Sequence, residues 1–76
     1  MSVEETVINI IAETLETDPD DIVPDASLID DLGAGSLDFV AIVMSIEETF
    51  DIEIPDEDTK DLVTAKALIA YIEKHL

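Results

Sequence analysis

Twenty aspartates and glutamates stand against three lysines and no arginine, a formal charge of −17 at pH 7 on a chain of 76 residues. Such a charge density repels itself, so a folded state should be only modestly stable at low salt and should gain from added salt or divalent cations. The chain also has no cysteine. Neither a disulfide nor thiolate-bound zinc can staple it, and any thiol chemistry needs a thiol brought in from outside. The fold has to rest on packing alone. Hydrophobic residues at 47% suffice for a core, and with only 4% aromatics it must be filled by aliphatic side chains. A mean hydropathy of +0.27 argues for a folded chain rather than a disordered one.

These quantities bound the function. A length of 76 residues fits one domain, residues 1–76, and leaves no room for a multi-domain enzyme. Binding to a DNA or RNA backbone requires clustered cations, which are missing, so nucleic acid is excluded and partners should be basic. Met1-Ser2-Val3-Glu4-Glu5 has neither the basic start nor the apolar stretch of a signal peptide. No apolar run is long enough for a membrane span. The expectation is a cytoplasmic protein without membrane insertion.

Val3, Val7, Ile10, Ile11 and Leu15 recur at helical spacing, with Glu5, Thr6, Asn9, Glu13 and Glu16 opposite, which predicts a first helix from about Val3 to about Glu16. Asp18-Pro19-Asp20-Asp21 ends it. The long connection to Gly35 holds Ile22, Val23, Leu28, Ile29 and Leu32, too many apolar residues for a free linker, so it should pack across the molecule. A second helix spans Ser36 to Phe50. After a connector from Asp51 to Pro55, one short helical turn is expected from Asp56 to Asp61. A last helix carries Ala65, Leu68, Ile69, Ile72 and Leu76, with Tyr71 beside them. The fold class is all-α: three main helices and a short fourth.

The second helix is apolar on two sides. At about 100° per residue, Phe39, Ile42, Val43, Ile46 and Phe50 form the natural core stripe. The other side carries Leu37, Val40, Ala41 and Met44 with Asp38, Glu47 and Glu48. Two arrangements satisfy this pattern: a central helix buried nearly all round, or a helix that offers its second stripe to a partner. In the latter case unbranched Met44 suits a surface that accepts several partners, and the carboxylates steer basic ones.

The inventory for catalysis is poor. His75 is the only histidine and lies next to the C-terminal residue, where it reads as a solvated helix-end side chain. The runs Asp18/Asp20/Asp21, Asp30/Asp31 and Asp56/Glu57/Asp58 do not make an EF-hand. Counted from Asp18, the glycine and glutamate positions hold Val23 and Ile29; counted from Asp51, they hold Asp56 and Leu62. No specific metal site is expected. Ser36 is the one hydroxyl in a special position: it follows Gly33-Ala34-Gly35 and opens a helix, so it is either an ordinary N-cap or the anchor of a negatively charged group.

Asp31-Leu32-Gly33-Ala34-Gly35-Ser36-Leu37-Asp38 resembles the prosthetic-group attachment site of acyl carrier proteins. Glu47-Glu48-Thr49-Phe50, Ile52-Glu53-Ile54-Pro55-Asp56, Val63-Thr64-Ala65 and Tyr71-Ile72 follow the same family in order and spacing. The resemblance runs from about Val3 to about His75. It implies an up-down bundle with a long first loop that catalyses nothing. It also implies that Ser36, flanked by Gly35, Leu37 and Asp38, bears 4′-phosphopantetheine from coenzyme A and carries acyl groups as thioesters. Implied partners are a phosphopantetheinyl transferase and the enzymes of fatty-acid or polyketide synthesis and acyltransferases, docking through basic patches onto Leu37, Asp38, Val40, Met44, Glu47 and Glu48. A monomer is expected. The chain departs from the family at Gly35, where an aspartate usually precedes the serine. Two other classes fit the same residues, an aminoacyl or peptidyl carrier and an unmodified acidic interaction module, and the Ile-Glu-Ile-Pro-Asp segment looks more like a fatty-acid carrier.

Overall fold

The computed structural model describes residues 2–76. Its first helix, α1 (Val3–Leu15), starts from a reciprocal cap. The Glu5 amide donates to the Ser2 hydroxyl at 3.1 Å, and that hydroxyl donates to the Glu5 carboxylate at 3.2 Å. Glu4 and Glu5 in the first turn suit the positive end of the helix dipole. The helix stops one residue short of the expected Glu16. That residue turns left-handed at φ 55° and its amide closes back on the Ala12 and Glu13 carbonyls.

Then comes a single 3₁₀ turn, Pro19–Asp21, capped by the Asp18 carboxylate on the Asp20 amide at 3.0 Å. α2 (Ser36–Phe50) follows the long loop. The short helix α3 covers Asp56–Thr59, two residues less than expected, and α4 covers Ala65–His75. Thr64 caps α4 by accepting the Ala67 amide at 3.0 Å.

α1 packs against both α2 and α4. Val7, Ile11 and Ala12 of α1 meet Ile42, Val43 and Ile46 of α2 and Ala65, Leu68 and Ile72 of α4 in one aliphatic core. Each fully buried Ile or Leu contributes about 1.5–3 kcal/mol over an exposed one, and no charged side chain among the described residues shares that interior. The carboxylates stay outside, as their desolvation cost requires.

The long loop is ordered by backbone bonds to the start of α4. The Leu28 amide donates to the Val63 carbonyl at 2.8 Å, Ser27 and Thr64 form an isolated antiparallel bridge, and the Lys66 amide donates to the Pro24 carbonyl at 3.0 Å. Ile22, Leu28 and Ala34 enter the core, with Leu32 packed at its edge. The loop packs across the molecule as expected, but Val23 and Ile29 take no part: both are exposed. No helix of the described residues is long and apolar enough to cross a membrane.

Candidate functional site

The loop delivers the chain to α2 through Gly33, at φ +73°, a left-handed turn that favours glycine. Ala34 follows into the core, anchored by its amide donating to the Leu28 carbonyl at 2.8 Å. Thus one of the small residues before Ser36 pins the loop. Gly35 is the N-cap of α2, with extended backbone at φ −77° and ψ 173°. Having no side chain, it cannot cap the helix amides. Instead Asp38, three residues on, turns back to accept the Gly35 amide at 3.2 Å, the half of a capping box that glycine permits.

Ser36 is therefore the first residue of the helix and not its cap, which removes the ordinary N-cap explanation for it. It is exposed. Its hydroxyl has no hydrogen-bond partner among the described residues, whereas Ser2 and Ser27 both use theirs to cap local backbone amides, at 3.1 Å in each case.

Down α2 from Ser36 the two faces part. Ile42, Val43 and Ile46 are buried and Phe39 and Phe50 lie at the core's edge. On the other side Leu37 is 85% exposed, Met44 58% and Val40 52%. This resolves the two arrangements left open by periodicity: no element covers the second stripe. Glu48 stands free on the same side. Glu47 departs from expectation, because its carboxylate is half-buried and accepts the Ile54 amide at 2.9 Å, tying the connector after α2 back onto the helix. A groove of about 170 Å³ runs between α2 and α3, lined on one side by Phe39, Val40, Val43, Met44 and Glu47 and on the other by Ile54, Asp56 and Thr59.

Comparison with known proteins settles the family. The family model described as "Phosphopantetheine attachment site" matches residues 5–72. A curated acyl carrier protein of Bdellovibrio bacteriovorus is 51% identical over 74 residues, covering 97% of this chain and 95% of that one. The chain belongs to the acyl carrier protein family. Solved structures agree with the fold. The acyl carrier protein of Enterococcus faecalis superposes with a TM-score of 0.84 at 29% identity, over all of both chains. A candidate acyl carrier protein from Anaplasma phagocytophilum gives 0.89 at 30%, over 96% of this chain and 86% of that one.

As an acyl carrier the protein works through a covalently attached 4′-phosphopantetheine, which supplies the thiol that a chain without cysteine lacks. The start of α2 fits such a group. A hydroxyl stands free there, and next to it a β-carbon built on Gly35 would meet only Asp38 Oδ2, at 3.8 Å. The other sequence candidates gather no chemistry. No cluster of acids and histidine that could hold a metal exists among the described residues. His75 is not merely a solvated end residue: its ring stacks on Tyr71 with centroids 4.1 Å apart, and its Nδ1 lies 2.8 Å from the Tyr71 carbonyl. Sequence reasoning missed the Glu47–Ile54 tie and the Tyr71 hydroxyl, which donates to Asp58 at 2.9 Å and joins α4 to α3. It also missed the cap at Gly35, for which the acid three residues on was an available signal.

Proposed function

We propose that Ser36 is the residue that carries the phosphopantetheine arm, and that residues 1–76 act as one acyl carrier domain which performs no catalysis itself. The carrying observation is that Ser36 presents an exposed hydroxyl the fold does not use, at the first residue of α2 and inside the matched attachment region. The chain's own residues divide the remaining work. Gly33 and Ala34 pin the loop, Asp38 holds the backbone beside the attachment point, and the exposed stripe of Leu37, Val40 and Met44 leads away from it. That stripe, rimmed by Glu48, suits enzymes of fatty-acid or related synthesis and acyltransferases that present a basic rim around an apolar pocket. The groove beside α3 offers an aliphatic wall to a bound acyl chain. A cytoplasmic monomer, modified by a phosphopantetheinyl transferase, completes the reading.

The test is incubation with coenzyme A and a broad-specificity transferase, followed by intact mass. The wild type should gain one phosphopantetheine and Ser36→Ala none. Modification that persists in Ser36→Ala would sink the assignment.

A further inference from the structure

The groove between α2 and α3 combines apolar walls with an acidic end. Its α2 side begins at Phe39, one turn into the helix from Ser36, and runs through Val40, Val43 and Met44 to Glu47, about 12 Å farther along the axis. Val43 and Ile54 are buried and close it against the core. Glu47, Ile54 and Asp56 also line the adjoining hollow, which puts the two acids together at the end away from Ser36. The Glu47 carboxylate is held there, because its Oε2 accepts the Ile54 amide at 2.9 Å. Nothing offsets these charges. No lining side chain is cationic, and the ion pair of the described residues joins Lys66 to Asp25 elsewhere. The one lining side chain with a hydroxyl to donate, Thr59, already gives it to the Asp56 carbonyl at 2.7 Å.

We infer that this groove sorts the carrier's own cargo by its far end: an uncharged aliphatic acyl chain folds in, whereas a chain of equal length that ends in a carboxylate stays outside. The inference rests on the reading of Ser36 as the attachment site and names the class of acyl group that the groove shelters. Tethering at Ser36 makes entry intramolecular, so even a weak preference decides where the chain lies. An alkyl end gains by leaving water against Phe39, Val43 and Ile54. A carboxylate end would instead shed its hydration beside two like charges, with no unspent side-chain donor to replace the lost water. A volume of about 170 Å³, below the roughly 300–1,000 Å³ of pockets for drug-sized ligands, suits a short unbranched chain. Dicarboxylic acyl groups therefore remain presented to any enzyme that docks, and neutral ones have to be drawn out.

The probes are hexanoyl and adipoyl groups, matched in carbon number, each loaded onto the full chain from its coenzyme A thioester by a broad-specificity transferase and verified by intact mass. The readouts are Tm and the amide shifts of Val43, Met44 and Ile54, both against the unacylated holo form. Hexanoyl should raise Tm by roughly 5 °C and move all three amides; adipoyl should leave both near the holo values. Asp56→Asn removes one of the acids and Asp56→Lys reverses its sign, while Glu13→Lys makes the same change in net charge as Asp56→Lys at an exposed site on α1 outside the groove. Adipoyl should enter in part in Asp56→Asn and most fully in Asp56→Lys, and should stay out in Glu13→Lys. Melts of the apo variants establish that each is folded. The inference is overturned if adipoyl moves the three amides of the wild type as hexanoyl does, or if hexanoyl moves none of them. It also fails if neither Asp56 variant admits adipoyl, or if Glu13→Lys admits it as well as Asp56→Lys. Loading that persists in Ser36→Ala would instead overturn the attachment reading beneath it.

Discussion

Truncating Met44 to alanine separates a docking surface from a core. Met44 is 58% exposed, so less than half of its side chain is out of water. Full burial of such a side chain is worth about 1.5–3 kcal/mol, which limits the cost of Met44→Ala to about 1 kcal/mol of folding stability. Ile46, half a turn away on the buried face, is 0% exposed. Its truncation should cost about 2–5 kcal/mol, because the transfer loss is joined by a cavity. The comparison is sharp in so small a protein, where total stability is about 0.05–0.15 kcal/mol per residue and each kcal/mol moves Tm by about 4–8 °C. Met44→Ala should therefore melt within several degrees of wild type, while Ile46→Ala melts far lower or does not fold. Binding should show the opposite order of interest. If Met44 anchors the apolar contact with a synthase, its loss should speed dissociation about 5- to 30-fold, equivalent to about 1–2 kcal/mol, with association nearly unchanged. Calorimetry and stopped-flow binding to a cognate synthase measure the two quantities. A Tm loss in Met44→Ala as large as that of Ile46→Ala, with unaltered dissociation, would show the second stripe to be structural and would refute the argument.

Glu48→Lys should slow encounter with a basic synthase and flatten its salt dependence with helicity preserved, whereas Glu47→Ala, which strips the acceptor from the Ile54 amide, should instead cost about 1 kcal/mol of stability; identical kinetics for Glu48→Lys and wild type would count against steering. Gly35→Asp should raise the initial rate with a general transferase, since it restores the carboxylate usual in the family at a position where space is open; equal rates would show the departure to be neutral. Tm should climb with added salt, because −17 charges repel in the native state; a flat response would contradict that. Tyr71 has its phenol pushed above its ordinary value, first by desolvation, then by its hydrogen bond to Asp58 and by that carboxylate's charge. A pKa raised on folding means that the contribution is complete below the unfolded value of about 10 and is lost as pH rises through the higher folded one. Alkaline melts should thus decline less in Tyr71→Phe, and parallel curves would rule the contact out as the cause.

What could be read in advance follows from which interactions are local. The stripes of α1, α2 and α4 repeat within each helix, so Val7, Ile11, Ile42, Ile46, Leu68 and Ile72 announce themselves as core. The loop before α2 has no period to give its side chains a register. Leu28 is buried and Ile29 exposed because the Leu28 amide pairs with Val63, a residue distant in sequence whose position only the fold sets. Similarly, helical spacing puts Glu47 outward, and nothing in that spacing reveals that the chain after Phe50 returns to offer it the Ile54 amide. At Ser36, propensity favoured the serine as cap. The bond from Gly35 to Asp38 moves the boundary by one residue, and that shift frees the hydroxyl.

The proposed monomer has to keep the exposed stripe of α2 from pairing with a second copy. Leu37, Val40 and Met44 form an apolar strip that a second copy could cover in turn. The acid excess opposes that encounter, because two copies bring the same large negative charge together wherever they approach, and the lysines are too few to offset it. A basic partner meets the reverse situation: the field that repels a copy draws the partner in, and the apolar strip then supplies the short-range contact. On the proposed reading, the charge that should weaken the fold at low salt also selects which partners reach α2. It also explains how the two jobs share one helix. Since Ile42, Val43 and Ile46 face the core with Phe39 and Phe50 at its edge, the exposed positions Leu37, Val40 and Met44 can vary with the partner at little cost to the fold.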